Sequence, residues 1–209
     1  MGNDPVLIVD FDGVNSVHVS DAFNRIEVAN TVVAHDSLSE SDVFDSTPVA
    51  IVLSPTNLGT SYQLNPALLC VDTPVLGICN GAQLIVSTLG GTVTPGTALE
   101  AGLVELTRRG YSLLATGTPR RQYVYMNHEH YITSLPKRGR AIARTELTQI
   151  AAFEIIRCPP LFGLQFHPES AGSRYGPQML RQFVRCARAY RFKGGDGRYS
   201  PRSTPGAAR

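Results

Sequence analysis

Pro74-Val75-Leu76-Gly77-Ile78-Cys79-Asn80-Gly81-Ala82-Gln83 sets one cysteine at the end of an apolar run and between two glycines. Val75, Leu76 and Ile78 predict a short buried strand, and Gln83 to Leu89 the helix that follows, stopped by Gly90-Gly91. Cys79 then falls on a sharp strand-to-helix turn of the nucleophile-elbow kind. Gly77 and Gly81, each two positions away, relieve crowding where a side chain must project from a strained turn. The helix N-terminus just beyond the cysteine favours negative charge at that sulfur.

A cysteine nucleophile needs a base. Downstream stands Leu161-Phe162-Gly163-Leu164-Gln165-Phe166-His167-Pro168-Glu169-Ser170. His167 follows a strand-like run. Glu169 lies two residues on, placed to accept the other N–H of the imidazole. Nucleophile, base and orienting carboxylate are the acyl-transfer triad, whose parts meet in space rather than in sequence.

Together the two segments resemble the class I, triad-type glutamine amidotransferases, whose pattern is G-I-C-x-G-x-Q followed far downstream by F-H-P-E. Cys79 and His167 are 88 positions apart, a spacing typical of that family. The resemblance covers roughly residues 5 to 190. Val6 to Phe11 looks like the family's first strand, and Val49 to Ser54 like the strand entering its oxyanion loop. Met126-Asn127-His128-Glu129-His130 with Leu135-Pro136 is similar to the M-S-H-x-D…L-P segment in the glutaminase part of GMP synthase.

The resemblance implies glutamine as substrate, a Cys79 thioester, ammonia as product and no cofactor or metal. It makes the backbone N–H of Asn80 one oxyanion donor and puts Gly81, Gln83, His128 and Glu129 in the substrate site. Two departures stand out. Where the family's oxyanion loop reads S-G-G-P, this chain has Ser54-Pro55-Thr56-Asn57. Thr56 takes the place of the second glycine, and its N–H is the candidate second donor. Pro55 has no N–H and restricts Ser54, and a β-branched Thr56 cannot cheaply take positive φ. That leaves a reshaped hole, one completed by a partner, or none. The other departure is Glu129-His130, where glycine and aspartate are expected.

Composition is compatible with this reading. Two hundred and nine residues suit one domain with a substantial core. No apolar run reaches the roughly 18 residues of a membrane span, and no signal-peptide layout opens the chain. Cys70, Cys79, Cys158 and Cys186 are scattered, which argues against zinc or a disulfide scaffold and for reduced thiols in the cytoplasm. The cysteines other than Cys79 read as small buried hydrophobes. Net charge is +2, yet residues 1–45 hold nine acids and one base, and residues 174–209 nine bases and one acid. Met179, Leu180, Phe183, Val184 and Ala187 make the apolar face of a helix near 177–192, with its arginines on a solvated face. No aromatic interleaving or known module accompanies these bases, so nucleic acid is not an expected partner.

The remaining elements alternate. A strand at 6–11 leads to a helix near Asp21–Glu27, with Ser20 as candidate N-cap. Strands near 31–34, 49–53 and 74–78 follow, then mostly strands and turns through 91–150. A hairpin turns on Cys158-Pro159-Pro160. The expected fold is α/β: one domain, an open, mostly parallel twisted sheet flanked by helices, flavodoxin-like, over residues 1–192. Residues 193–209 form a basic Gly/Ser/Pro-rich tail expected to be disordered. Asp10 and Asp12 also admit a phosphatase D-x-D motif, and His128 and His130 a shared strand face for metal, both without supporting partners. Three functions stay open. One is a glutaminase subunit serving a separate ATP-dependent synthetase or acceptor-binding subunit, nucleobase-amidating as in GMP synthase. The others are a stand-alone γ-glutamyl hydrolase and a catalytically weak regulatory subunit. The ammonia acceptor cannot be read from the residues.

Overall fold

The computed structural model describes residues 5–38, 47–57 and 62–192. Its strands form a nine-stranded sheet in the order β2-β1-β3-β4-β9-β8-β7-β5-β6. The first half is parallel: β2 (Asn30–Ala34), β1 (Val6–Asp10), β3 (Ala50–Leu53), β4 (Val75–Ile78) and β9 (Leu161–Leu164). From β9 onward pairing is antiparallel, through β8 (Ala152–Ile155), β7 (Gly139–Arg144), β5 (Thr92–Arg108) and β6 (Arg121–Ser134). The sheet is therefore mixed, and the site lies in its parallel half.

Strand alternation sorts the apolar residues onto two faces. Val6, Ile8, Val52, Leu76 and Phe162 pack with helix α1 (Asn15–Arg25) and helix α3 (Gly176–Phe192). Leu7, Val9, Ile51, Leu53, Val75 and Leu161 pack on the other face with Ala82, Ile85 and Val86 of helix α2 (Asn80–Thr88). Both faces being covered explains why the central strands read as unbroken apolar runs. Phe162 of β9 meets Phe183 of α3 edge-to-face, ring centroids 5.9 Å apart, and truncating either costs about 3–5 kcal/mol. Arg181, Arg185, Arg188 and Arg191 line the exposed side of α3, as its periodicity predicts.

Three expectations change. Helix α1 begins at Asn15, six residues before the predicted start, and Ser20 is not its cap: the Ser20 hydroxyl donates to Asn30 Oδ1 at 2.7 Å. Asp12 Oδ1 caps instead, accepting the N–H groups of Val14 and Asn15 at 3.0 Å. Exposed Val14 and Val17 had blurred the amphipathic pattern there. Cys70 and Cys158 are exposed rather than buried, because both sit at turns, and Cys186 is half-buried on α3. His128 is buried and His130 exposed, because the β5–β6 register shifts between Pro95 and Glu100. Among the described residues no group of metal-ligating side chains gathers, and no helix is long and apolar enough to cross a membrane. The tail 193–209 and residues 39–46, which carry three of the nine acids of residues 1–45, lie outside the described residues.

Candidate active site

β4 ends at Ile78 and α2 begins at Asn80, so Cys79 alone makes the turn, at φ 51° and ψ −110°. A non-glycine residue there is strained, and such strain persists only where the surroundings enforce it. A Cβ on Gly77 would stand 2.5 Å from Ala82 N, and one on Gly81 2.3 Å from Leu53 O. Only glycines let α2 fold back this closely on β4 and β3. The Cys79 N–H donates to Leu164 O at 2.7 Å, tying the elbow to β9. Its sulfur is 3.8 Å from Asn127 O and 3.8 Å from Gln165 Nε2, and the residue is 1% exposed.

β9 lies beside β4, with Leu164 opposite Ile78. The chain leaving β9 thus carries His167 to the same edge of the sheet as Cys79. The His167 N–H donates to Tyr125 O at 2.9 Å, and its Nδ1 pairs with Glu169 Oε1 at 2.7 Å. Both side chains are largely buried. Burial alone would depress the imidazole pKa. The Cys79 sulfur and the Glu169 carboxylate, by hydrogen bonding and by charge, outweigh it and push the pKa up to about 10. His167 Nε2 has no partner at full hydrogen-bond geometry, so it is the nitrogen left for the thiol. Such contacts are often loose before substrate binds.

Asn80 opens α2, where first-turn N–H groups have no acceptor within the helix. Thr56 lies in the loop after β3, 6% exposed and without positive φ. Leu53 pairs with Gly77, so that loop leaves the sheet beside the elbow. The four residues assigned to the substrate site part company. Gly81 is buried against β3. Gln83 turns inward, its Nε2 donating to His130 O at 2.8 Å and lying 3.3 Å from Gln165 Oε1. His128, 1% exposed, spends its imidazole on His130 O at 3.0 Å and Glu100 at 3.1 Å, which leaves only its backbone for a ligand. Glu129 is exposed on β6.

Sequence reasoning missed Gln165, Glu100 and Arg25. Gln165 was within reach, since it stands two residues before His167 in the quoted segment, directly after the strand-like apolar run. Glu100 is fully enclosed: His128, Thr145 and Thr148 all hydrogen-bond its carboxylate. These contacts lower its pKa, against the upward push of burial. Arg25 Nη2 donates to Glu169 O at 3.0 Å, bracing Glu169 from α1. A cavity of about 400 Å³ opens beside His167 and Glu169, lined also by Asn15, His18, Tyr125 and Asn127.

A sulfur on a strained elbow, an imidazole beside it and a carboxylate behind are what acyl transfer requires. A sequence model of the family Glutamine amidotransferase class-I matches residues 7–186. The GMP synthase (glutamine-hydrolyzing) of Syntrophomonas wolfei is 33% identical over 190 residues, which cover 88% of this chain and 36% of that protein. The chain spans about a third of the length of the curated relatives it matches. Among solved structures, a candidate GMP synthase subunit from Thermoplasma acidophilum superposes with a TM-score of 0.80 at 22% identity, over 93% of this chain and 98% of that one. A glutamine amidotransferase from Thermotoga maritima gives 0.68 at 20% identity, over 97% and 88%. At these identities the structural likeness establishes the fold.

Proposed function

The chain belongs to the class I glutamine amidotransferase family, and on that premise we infer that it hydrolyses the side-chain amide of glutamine and supplies ammonia to a separate ATP-dependent synthetase. The similarity to GMP synthases favours a nucleobase-amidating partner. Four cysteines, all free and scattered along the chain, favour a reducing, cytoplasmic setting.

Chemistry begins with the Cys79 proton on His167 Nε2. The thiolate attacks the amide carbon, the S–C bond forms, and the carbonyl π pair moves to oxygen. N–H groups of Asn80 and Thr56 stabilise that oxyanion. The pair then returns, the C–N bond breaks, and His167 gives its proton to the departing ammonia. Water, deprotonated by His167, adds to the thioester, and collapse releases glutamate with the thiol restored. Glu169 keeps the Nδ1 proton in place throughout, so Nε2 always faces the reaction.

The observation that carries this reading is the convergence of Cys79 at φ 51° with the 2.7 Å His167–Glu169 pair, from neighbouring parallel strands. Glutamate release from glutamine by the purified chain tests it. Turnover present in the wild type and absent in Cys79→Ala is the expected result; equal turnover in both rejects it. One observation favours activation by the partner: Cys79 is 1% exposed and takes no part in lining the adjacent cavity. On that account a silent wild type still labels at Cys79 with a glutamine-mimicking electrophile, and failure to label favours a regulatory role.

A further inference from the structure

The D-x-D of the sequence has a structural use, and it is not phosphate chemistry. Asp10 Oδ1 accepts the N–H groups of Asp12 at 3.2 Å and Gly13 at 2.9 Å, shaping the turn after β1. Asp12 faces two ways. Its Oδ1 caps α1, and its Oδ2 accepts Asn15 Nδ2 at 2.7 Å and, from 45 residues away, the backbone N–H of Asn57 at 2.8 Å. Asn15 Nδ2 also stands 3.4 Å from Asn57 Oδ1. β1 and β3 are parallel neighbours, so the two loops emerge side by side.

Among the described residues the loop after β3 is held at both ends. Ser54 N–H donates to Val9 O at 3.1 Å, and Pro55 has no N–H to offer. Thr56 lies between the Ser54 and Asn57 anchors. It is 6% exposed, yet no acceptor among the described residues takes its N–H. A buried N–H without a partner is rare and calls for an explanation.

We propose that Asp12 is a positioning residue: by gripping the Asn57 N–H it fixes the backbone of Ser54-Pro55-Thr56-Asn57 so that the Thr56 N–H points at the oxyanion formed on Cys79. This rests on the thioester reading above. A loop without the family's two glycines cannot reach its donor geometry through positive φ. An external carboxylate holding the next peptide supplies the constraint instead. The same side chain caps α1, so the donor and the helix beside the triad move as one body.

The test uses the full chain and L-glutamate γ-semialdehyde, which needs no turnover. Addition forms the Cys79 S–C bond, moves the carbonyl π pair onto oxygen and leaves the thiol proton on His167, so binding reports on the oxyanion donors. L-Glutamate, which forms no such bond, is measured in parallel. Asp12→Ala is expected to weaken the aldehyde about tenfold or more and glutamate less than about twofold. Asp12→Asn keeps one oxygen for the Asn57 N–H but turns its amide nitrogen toward the N–H groups of Val14 and Asn15, so its aldehyde affinity is expected to fall between wild type and Asp12→Ala. Unchanged aldehyde affinity in Asp12→Ala overturns the proposal. So does an equal loss for both ligands, or a loss in Asp12→Asn as large as in Asp12→Ala. Cys79→Ala separates the underlying reading: if it binds the aldehyde as tightly as wild type, the thioester assignment is what fails.

Discussion

The Glu100 carboxylate and the His128 imidazole stand 3.1 Å apart, 3% and 1% exposed, and the same imidazole reaches the His130 carbonyl that also holds Gln83. A buried polar pair of this kind does not add much net stability, but removing one member leaves an uncompensated group inside. Glu100→Ala is expected to cost about 3–5 kcal/mol and to loosen the backbone at 127–130, raising KM for glutamine more than it lowers kcat. Urea unfolding and steady-state kinetics check the two parts separately.

Acid stability follows from the same carboxylate. Its folded pKa is lowered, so the stability it contributes is fully present above the unfolded value of 4.5 and is lost as pH falls through the lower folded value. Glu100→Gln removes that slope. Stability measured from pH 6 downward should fall less steeply in the variant than in the wild type.

His167 has the opposite sign. A pKa raised from 6.5 to about 10 contributes stability that is complete below 6.5 and lost as pH rises toward 10. Since the Cys79 sulfur is the foremost upward influence, Cys79→Ala should bring the His167 pKa down. An NMR titration of the imidazole measures this directly. Glu169→Gln removes the other influence and the orientation of Nδ1, and should lower kcat by about 10²–10⁴.

Gly81 tests the elbow. Its added Cβ would lie 2.3 Å from Leu53 O, and the clash is with backbone, which cannot turn aside. Gly81→Ala should cost about 1–3 kcal/mol and pull α2 off β3, with glutaminase activity lost even where a folded population remains. Thermal melts with activity assays at low temperature distinguish the two effects.

Glu154 of β8 is 1% exposed and held by Arg140 Nη2 at 2.7 Å and the Ser112 hydroxyl at 2.7 Å. Arg140 is itself partly exposed. Arg140→Met should cost about 3 kcal/mol, and the double variant Arg140→Met, Glu154→Met should recover much of it. Denaturant unfolding of the four chains measures the coupling.

The Cys79 elbow and the His167–Glu169 pairing were legible because each is a short contiguous signal: an apolar strand followed at once by polar or reactive side chains. Central strands were legible because both their faces are buried. Helix α1 was placed late because its cap, Asp12, sits in the preceding loop while Val14 and Val17 point outward. The length of β5, through Pro95 and Gly102 at φ 90°, contradicts local strand preference and is held by β6. Glu100 and His128 meet only because a register shift aligns them, and no local pattern encodes a register shift.

Cys79 and His167 are separated by 88 positions of chain but by a single strand-to-strand step across β4 and β9. Their closeness rests on two adjacent backbones, with Tyr125 O and Asn127 O of β6 closing on the pair from the side. Strand order, more than chain distance, thus decides which side chains meet: a change that parts β4 from β9 separates Cys79 from His167 even where both residues are kept.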